Sequence, residues 1–214
     1  MRNRTRSATM INMRADNGTS TPTPEDLDFQ RSGPGARWWS LDIHAHSPAS
    51  KDYGADEGKD EDDAPKPTFQ AWVQAYLNAG IDGLVITDHN TSEGFQLACE
   101  ALAEIKAHDP LSADLTIFPG VELTITNGVH ILAIFDPTTP VSTVNDLIAR
   151  CQYYGTRGAS TQTANTTVLD AARYIDELGG LCVPAHADKP AGIFSKSQLD
   201  FPTLTKSGIV AAEI

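Results

Sequence analysis

The chain has 214 residues, 40% of them hydrophobic, and a formal net charge of -12; it can bury one sizeable core, and its acidity argues against a broad basic face for nucleic-acid backbones while allowing a local cationic groove. Cys99, Cys151 and Cys182 are far apart and form no C-x-x-C pair, so neither a disulfide framework nor a thiolate zinc site is expected and a reducing cytoplasm fits. There is no run of roughly 18 apolar residues, and Arg2, Arg4 and Arg6 are not followed by an apolar segment, so a soluble, unsecreted chain is expected.

Met1 to Arg37 is rich in Thr, Ser, Asn, Gly, Pro and charge and reads as a disordered leader, because it has too little apolar surface to offset the entropy of ordering. Residues 38–214 read as one domain. Trp38-Trp39-Ser-Leu-Asp-Ile-His44 has the content of a first core strand, and Asp52 to Pro67, with seven acidic residues and two prolines, that of an exposed loop. Thr68 is placed to cap a helix over Phe69 to Ala79, whose Phe69, Trp72, Val73, Tyr76 and Leu77 recur at helical spacing before Gly80. A short buried strand at Leu84 to Ile86 follows, then a helix from Glu93 to His108. Leu115 to Phe118 and Val121 to Thr126 are strand-like, and Val129 to Phe135 follows the turn signal Asn127-Gly128. Helices are expected at Val141 to Cys151 and Thr167 to Leu178, with a buried strand at Leu181 to Val183. The alternation predicts an α/β fold of parallel βα units.

Each short strand runs into ionisable residues: Ile43 into His44-Ala45-His46, Ile86-Thr87 into Asp88-His89, Gly120-Val121 into Glu122, and Val183-Pro184-Ala185 into His186-Ala187-Asp188. Carboxyl ends of parallel strands converge on one face, so four separated segments would deliver ligands to one place. His44 and His46, two apart on an extended segment, project to one side and can share an ion. Glu122 has two oxygens with which to bridge two ions, and Asp88, His89, His130 and His186 add donors of the kind zinc, manganese or iron accept. One histidine in such a chain is usually a surface or hydrogen-bonded residue, but five of the six lie in these segments, and only His108 reads as helix-terminal. Asp42 and Asp188 are expected to orient imidazoles rather than to bind. Paired divalent ions would acidify water, so water rather than a protein nucleophile would attack phosphorus.

Four ordered motifs carry a resemblance. Trp38-Trp39-Ser-Leu-Asp42-Ile-His44-Ala-His46-Ser47, Gly83-Leu-Val-Ile-Thr87-Asp88-His89-Asn90, Pro119-Gly120-Val121-Glu122 with Val129-His130-Ile131-Leu132, and Pro184-Ala185-His186-Ala187-Asp188 resemble the motifs of the PHP (polymerase and histidinol phosphatase) family of metal-dependent phosphoesterases. The resemblance implies a distorted, TIM-like βα barrel of seven strands holding two or three ions of zinc, manganese or iron. It implies that His44, His46 and Glu122 bind a first ion, that Glu122 bridges to a second held by His130 and His186, and that His89 with Asp52 holds a third. The family's late D-x-H motif is not found before Ala211-Ala212-Glu213-Ile214, so the final strands and the last metal motif are expected to be missing from this stretch. The Trp-Trp opening and the P-A-H-A-D segment are similar to the PHP modules of TrlF-like proteins, which implies a C-terminal ATPase region in a full-length protein; this chain has no G-x-x-x-x-G-K-[ST] loop.

The expected function is hydrolysis of a phosphate ester, either a small phosphomonoester or a nucleic-acid end, with Lys189, Lys196 or Arg157 drawing in the anion. The alternatives are a non-catalytic scaffold or regulatory module and an amidohydrolase-type metal hydrolase; the latter is weakened because the strand-end segments offer no metal-bridging lysine. The third motif contains a geometric constraint. A two-residue loop at Asn127-Gly128 would set His130 opposite Ile125, on the other face from Glu122, so a three-residue loop, a bulge or a wider excursion is expected to restore the parity.

Overall fold

The structure is a computed structural model and describes residues 39–54, 65–110 and 114–214. The expected leader, Trp38 and the central part of the acidic loop lie outside the described residues. No described helix is long and apolar enough to cross a membrane.

A five-stranded sheet runs in the order β1 (Leu41–Ala45), β2 (Gly83–Ile86), β3 (Thr116–Ile125), β4 (Val129–Ile134), β5 (Leu181–Pro184). Between β1 and β2 lies α1 (Phe69–Ala79), and between β2 and β3 lies α2 (Glu93–His108). Thr68 caps α1 by accepting from the Ala71 amide at 3.2 Å, and Gly80 closes it in the left-handed region at φ 71, where a side chain would be strained. The helices α3 (Val141–Arg150) and α4 (Val168–Glu177) precede β5, and two short ones, α5 (Ile193–Lys196) and α6 (Phe201–Lys206), follow it. The last two were not expected; at four and six residues they are too short for a periodic apolar stripe to register.

The expectation of parallel βα units holds for only half of the sheet. β1, β2 and β3 are parallel, but β3 with β4 and β4 with β5 are antiparallel. For β3 and β4 the reason is the tight connection Thr126–Gly128, which returns the chain directly beside β3 without a crossover helix. The two segments expected around Pro119-Gly120 are one ten-residue strand. Its first part pairs with β2 up to Pro119 and its second with β4 from Gly120, so the proline stands at the handover between partners, where a missing N–H disturbs the ladders least. β1 is also corrected: it is an edge strand with Leu41 and Ile43 exposed, not a core strand. The five described strands fall short of the expected seven.

Alternation along the strands sorts the core. Val121, Leu123, Ile125, Val129, Ile131 and Ala133 face α3 and α4, packing with Val144, Leu147, Ile148, Ala171 and Ile175. α1 and α2 cover the other half through Trp72, Val73, Leu77, Ala98 and Ala101 against Ala45, Leu84, Ile86 and Ile117. The opposite face of β4 and β5 carries only a small apolar group, Leu132, Val183 and Ala185, and there the polar side chains collect.

The sheet is strongly curled. Five strands at about 4.8 Å spacing would hold the edges roughly 19 Å apart if flat, yet the ring of His44 on β1 and that of His186 beyond β5 have centroids 5.9 Å apart. The start of α2 packs closely on the segments that follow β1 and β2: a methyl on Gly94 would overlap Asp88 and Ser47. Gly94→Ala is therefore expected to destabilise the fold by ~1–3 kcal/mol, read from the urea midpoint at unchanged m-value.

Candidate metal centre

Glu122 is the centre of the site. It lies in the middle of β3, is 1% exposed, and faces inward because Val121 and Leu123 on either side are packed against the helices. His44 and His46 arrive from the end of β1, where the register with β2 is irregular between Asp42 and Ala45. Each places Nε2 at 3.0 Å from Glu122 Oε2. His89 follows β2 and forms an isolated bridge with Glu122; its Nε2 lies 3.4 Å from the same oxygen.

The other carboxylate oxygen, Oε1, faces His130 Nδ1 at 2.8 Å and His186 Nε2 at 3.1 Å. His130 arrives there because the β3–β4 connection has three residues, pairing Ile125 with Val129 and Thr124 with His130. That register puts His130 on the face of Thr124 and hence of Glu122. A two-residue loop would have turned it away; of the connections expected from the sequence, the three-residue one is present. Asn127 takes a left-handed conformation within it at φ 66. Asp52 comes from the loop after β1, 3.0 Å from His89 Nε2 and 3.4 Å from His46 Nδ1.

All seven expected ligands, His44, His46, Asp52, His89, Glu122, His130 and His186, thus meet in one cluster. Three overlapping triads have donor atoms within 4.8 Å of one another: His44, His46 and Glu122; His46, Asp52 and His89; His89, Glu122 and His130. The donor set fits divalent cations. A carboxylate has about four lone-pair positions, and here five ring nitrogens face it, three on Oε2 and two on Oε1. Nitrogens of neighbouring rings are 3.3 Å apart in the His44–His46 pair and 3.2 Å apart in the His130–His186 pair. Protons on both members of such a pair would crowd and bare lone pairs would repel, whereas a shared cation relieves both. Imidazole nitrogens with carboxylate oxygens suit zinc, manganese or iron.

The electrostatics agree. Burial would lower the His46 pKa, but hydrogen bonds to Asp52 and Glu122 push it up to about 10, and His44 is raised by Glu122 and Glu213 against the same desolvation. Burial would raise Glu122, but the charge of His89 and hydrogen bonds from His130, His186 and His44 hold it well below the usual carboxylate range. Asp52 is held low in the same way by His46 and His89. These partners keep Glu122 and Asp52 ionised within the pocket.

Asp42 and Asp188, expected as imidazole orienters, and Asp88, expected beside the ligands, make other contacts. Asp42 accepts from the His44 amide at 3.2 Å and the Tyr76 hydroxyl at 3.3 Å, so it braces β1 against α1. Asp188 is exposed and lies 3.4 Å from Lys189, itself exposed. Asp88 is buried and accepts from both the amide and the hydroxyl of Ser47 at 2.6 Å, which fixes the backbone immediately after His46. Burial pushes its carboxyl up to about 6 against those hydrogen bonds.

Two features escaped the sequence reading. Glu213 lies 2.8 Å from His44 Nδ1 and accepts from the His186 amide at 2.9 Å; nothing in Ala211-Ala212-Glu213-Ile214 marks it. The loop around Gly158 ties the ligand segments together, since its carbonyl accepts from the Lys51 amide at 3.0 Å and its amide donates to the His89 carbonyl at 2.9 Å. Arg157 beside it donates to the Asn90 carbonyl at 3.2 Å. Asp88→Ala would leave the buried Ser47 amide without its acceptor; an expected loss of ~1–3 kcal/mol in urea unfolding should be accompanied by weaker metal binding in titration calorimetry.

No family model matches the chain, and no curated protein matches it. Among solved structures, a candidate metal-dependent phosphoesterase from Bifidobacterium adolescentis superposes with a TM-score of 0.52 at 17% identity, covering 83% of this chain and 77% of that one. Endonuclease Q in complex with a 27-mer duplex carrying an abasic lesion superposes with a TM-score of 0.50 at 20% identity, over 80% of this chain and 41% of that one. The lesion-specific endonuclease Q of Pyrococcus furiosus gives 0.49 at 19%, over 81% and 41%. The chain thus spans about two-fifths of the endonuclease Q chains. What the first two likenesses establish is the architecture: an α/β fold with a curled five-stranded sheet, shared with that candidate phosphoesterase and with endonuclease Q.

Proposed function

We propose that this chain is a metal-dependent phosphoester hydrolase whose ions are held by His44, His46, Asp52, His89, Glu122, His130 and His186. The observation that carries the reading is Glu122, an ionised carboxylate buried at the centre of five imidazoles that divide between its two oxygens. Divalent ions held there would supply Lewis acidity toward water and toward a phosphoryl oxygen.

The protein's own groups support this division of labour. The Ser47 and Ser50 hydroxyls, which donate to Asp88 and Asp52 at 2.6 and 2.5 Å, are fully buried, so neither is presented to a substrate as a nucleophile, which supports water as the attacking group. Asp52 and Glu122 both approach His89 Nε2, at 3.0 and 3.4 Å, which brings two anionic oxygens to one ring nitrogen. An anionic substrate approaching a chain of net charge -12 needs local attraction. Two cations stand by the Asp52 and His89 flank: Lys66 donates to the Ser50 carbonyl at 2.5 Å, and Arg157 to the Asn90 carbonyl. They are better placed than Lys189, which pairs with Asp188.

The substrate class proposed is a phosphate monoester or a nucleic-acid terminus. Likeness of fold to endonuclease Q, solved with duplex DNA, makes labelled oligonucleotides a natural probe beside a generic aryl phosphate. Elemental analysis should find two or three equivalents of divalent metal, and the loaded protein should release phosphate from one of these probes. Glu122→Gln keeps the shape and removes the charge; it is expected to cut both metal content and turnover by more than the ~10–100-fold typical of partners outside the ligand set. A metal-loaded protein inert toward both probes would overturn the proposal.

A further inference from the structure

We infer that Glu213 is a positioning residue of this centre, setting the tautomer and heading of His44 while anchoring the backbone at His186; the inference rests on the proposed metal reading. One oxygen, Oε2 of Glu213, lies 2.8 Å from His44 Nδ1 and 2.9 Å from the His186 amide nitrogen. It therefore joins a ligand on the first strand to one beyond the fifth, across a separation of 169 residues for the ring contact.

The His44 ring has a carboxylate at each nitrogen: Glu213 at Nδ1 and Glu122 at Nε2, 3.0 Å away. A neutral imidazole has one N–H, so one of its nitrogens presents a lone pair. With the proton on Nδ1, the ring donates to Glu213 and turns its lone pair toward Glu122 Oε2, which is unfavourable until a cation lies between them. With the proton on Nε2, the lone pair would face Glu213 and the ring would have nothing to offer an ion. Glu213 thus selects the tautomer in which Nε2 is the metal donor, the arrangement typical of ligating histidines. Asp42, two residues before His44, does not do this, because it is engaged by the His44 amide and Tyr76.

The second contact acts on His186, whose ring stacks beside that of His44. His186 has φ 29, a left-handed conformation uncommon for a residue with a side chain. Its amide is held by Glu213, while the Glu213 amide donates to the Pro184 carbonyl at 3.0 Å and its carbonyl accepts from the Ala187 amide at 2.8 Å. The segment at Glu213 is laid along residues 184–187 by the backbone, and its carboxylate reaches across to β1. Two ligands that face different oxygens of Glu122 are thereby set by one group.

The test uses the whole chain with Glu213→Ala and Glu213→Gln. Calorimetric titration with zinc and with manganese should show ~10–100-fold weaker binding in Glu213→Ala, and a smaller loss in Glu213→Gln, whose amide oxygen can still accept one of the two donors. Nitrogen-15 spectra of the histidine rings should show His44 protonated at Nδ1 in the wild type and a redistribution toward Nε2 in Glu213→Ala, a change that general loosening of the fold would not direct to one ring. Wild-type affinity in both variants together with an unmoved His44 signal would overturn the inference. If the wild type takes up no ion, it is the metal reading that fails, and the His44 spectra of the metal-free proteins still decide the role of Glu213: a ring insensitive to both substitutions overturns it.

Discussion

A carboxylate as deeply buried as Glu122 loses its hydration, and the effective penalty for taking such a charge out of water is several kcal/mol even after relaxation. Something must compensate it. Here, among the described residues, compensation comes from imidazoles and no lysine or arginine pairs with Glu122; histidine is the cationic partner that can also lose its proton and give its lone pair to a metal. The curl of the sheet follows the same demand. Rings from β1, from the segment after β2, from β4 and from beyond β5 must all come within about 3.5 Å of one side chain on β3, which a flat sheet cannot allow.

The supporting shell is divided between short-range and long-range contacts. Asp88 fixes the chain after His46 through both Ser47 donors, and Ser50 meets Asp52 within their own loop. By contrast, the loop at Gly158 reaches both Lys51 and His89, and Glu213 reaches both His44 and His186. One of these long-range clamps sits beside Asp52 and the other beside the first and last histidines. The ligands are borne on segments that need not agree on their own; the clamps make them agree.

Much of this was legible from residue order. The helices α1 and α2 end where their apolar stripes, Thr68 cap and Gly80 stop end, because caps and periodicity act within a turn or two. The parity of Glu122 and His130 could be worked out from side-chain alternation and the length of the loop between them, and the register of β3 with β4 has that parity. The direction of β4 and β5 was less accessible. A short apolar run reads the same whether its neighbour is parallel or antiparallel, and only the hairpin signal at Asn127-Gly128 hinted at the reversal.

What the sequence determined by itself was the inventory and its spacing: which strand ends bear imidazoles, which carboxylate stands among them, and which loop length keeps two of them on one face. These are local properties, set by the two-residue period of a strand and by which residue follows which. Only the tertiary structure decided which acids serve the rings. Asp42, Asp88 and Asp188 all lie beside ligands in sequence, yet they contact Tyr76 and the His44 amide, Ser47, and Lys189. Glu213, far away in the chain, takes the place beside His44. Adjacency along a strand sends neighbouring side chains to opposite faces, whereas contact with a ring depends on how far the sheet curls, and that is settled by the packing of the whole domain.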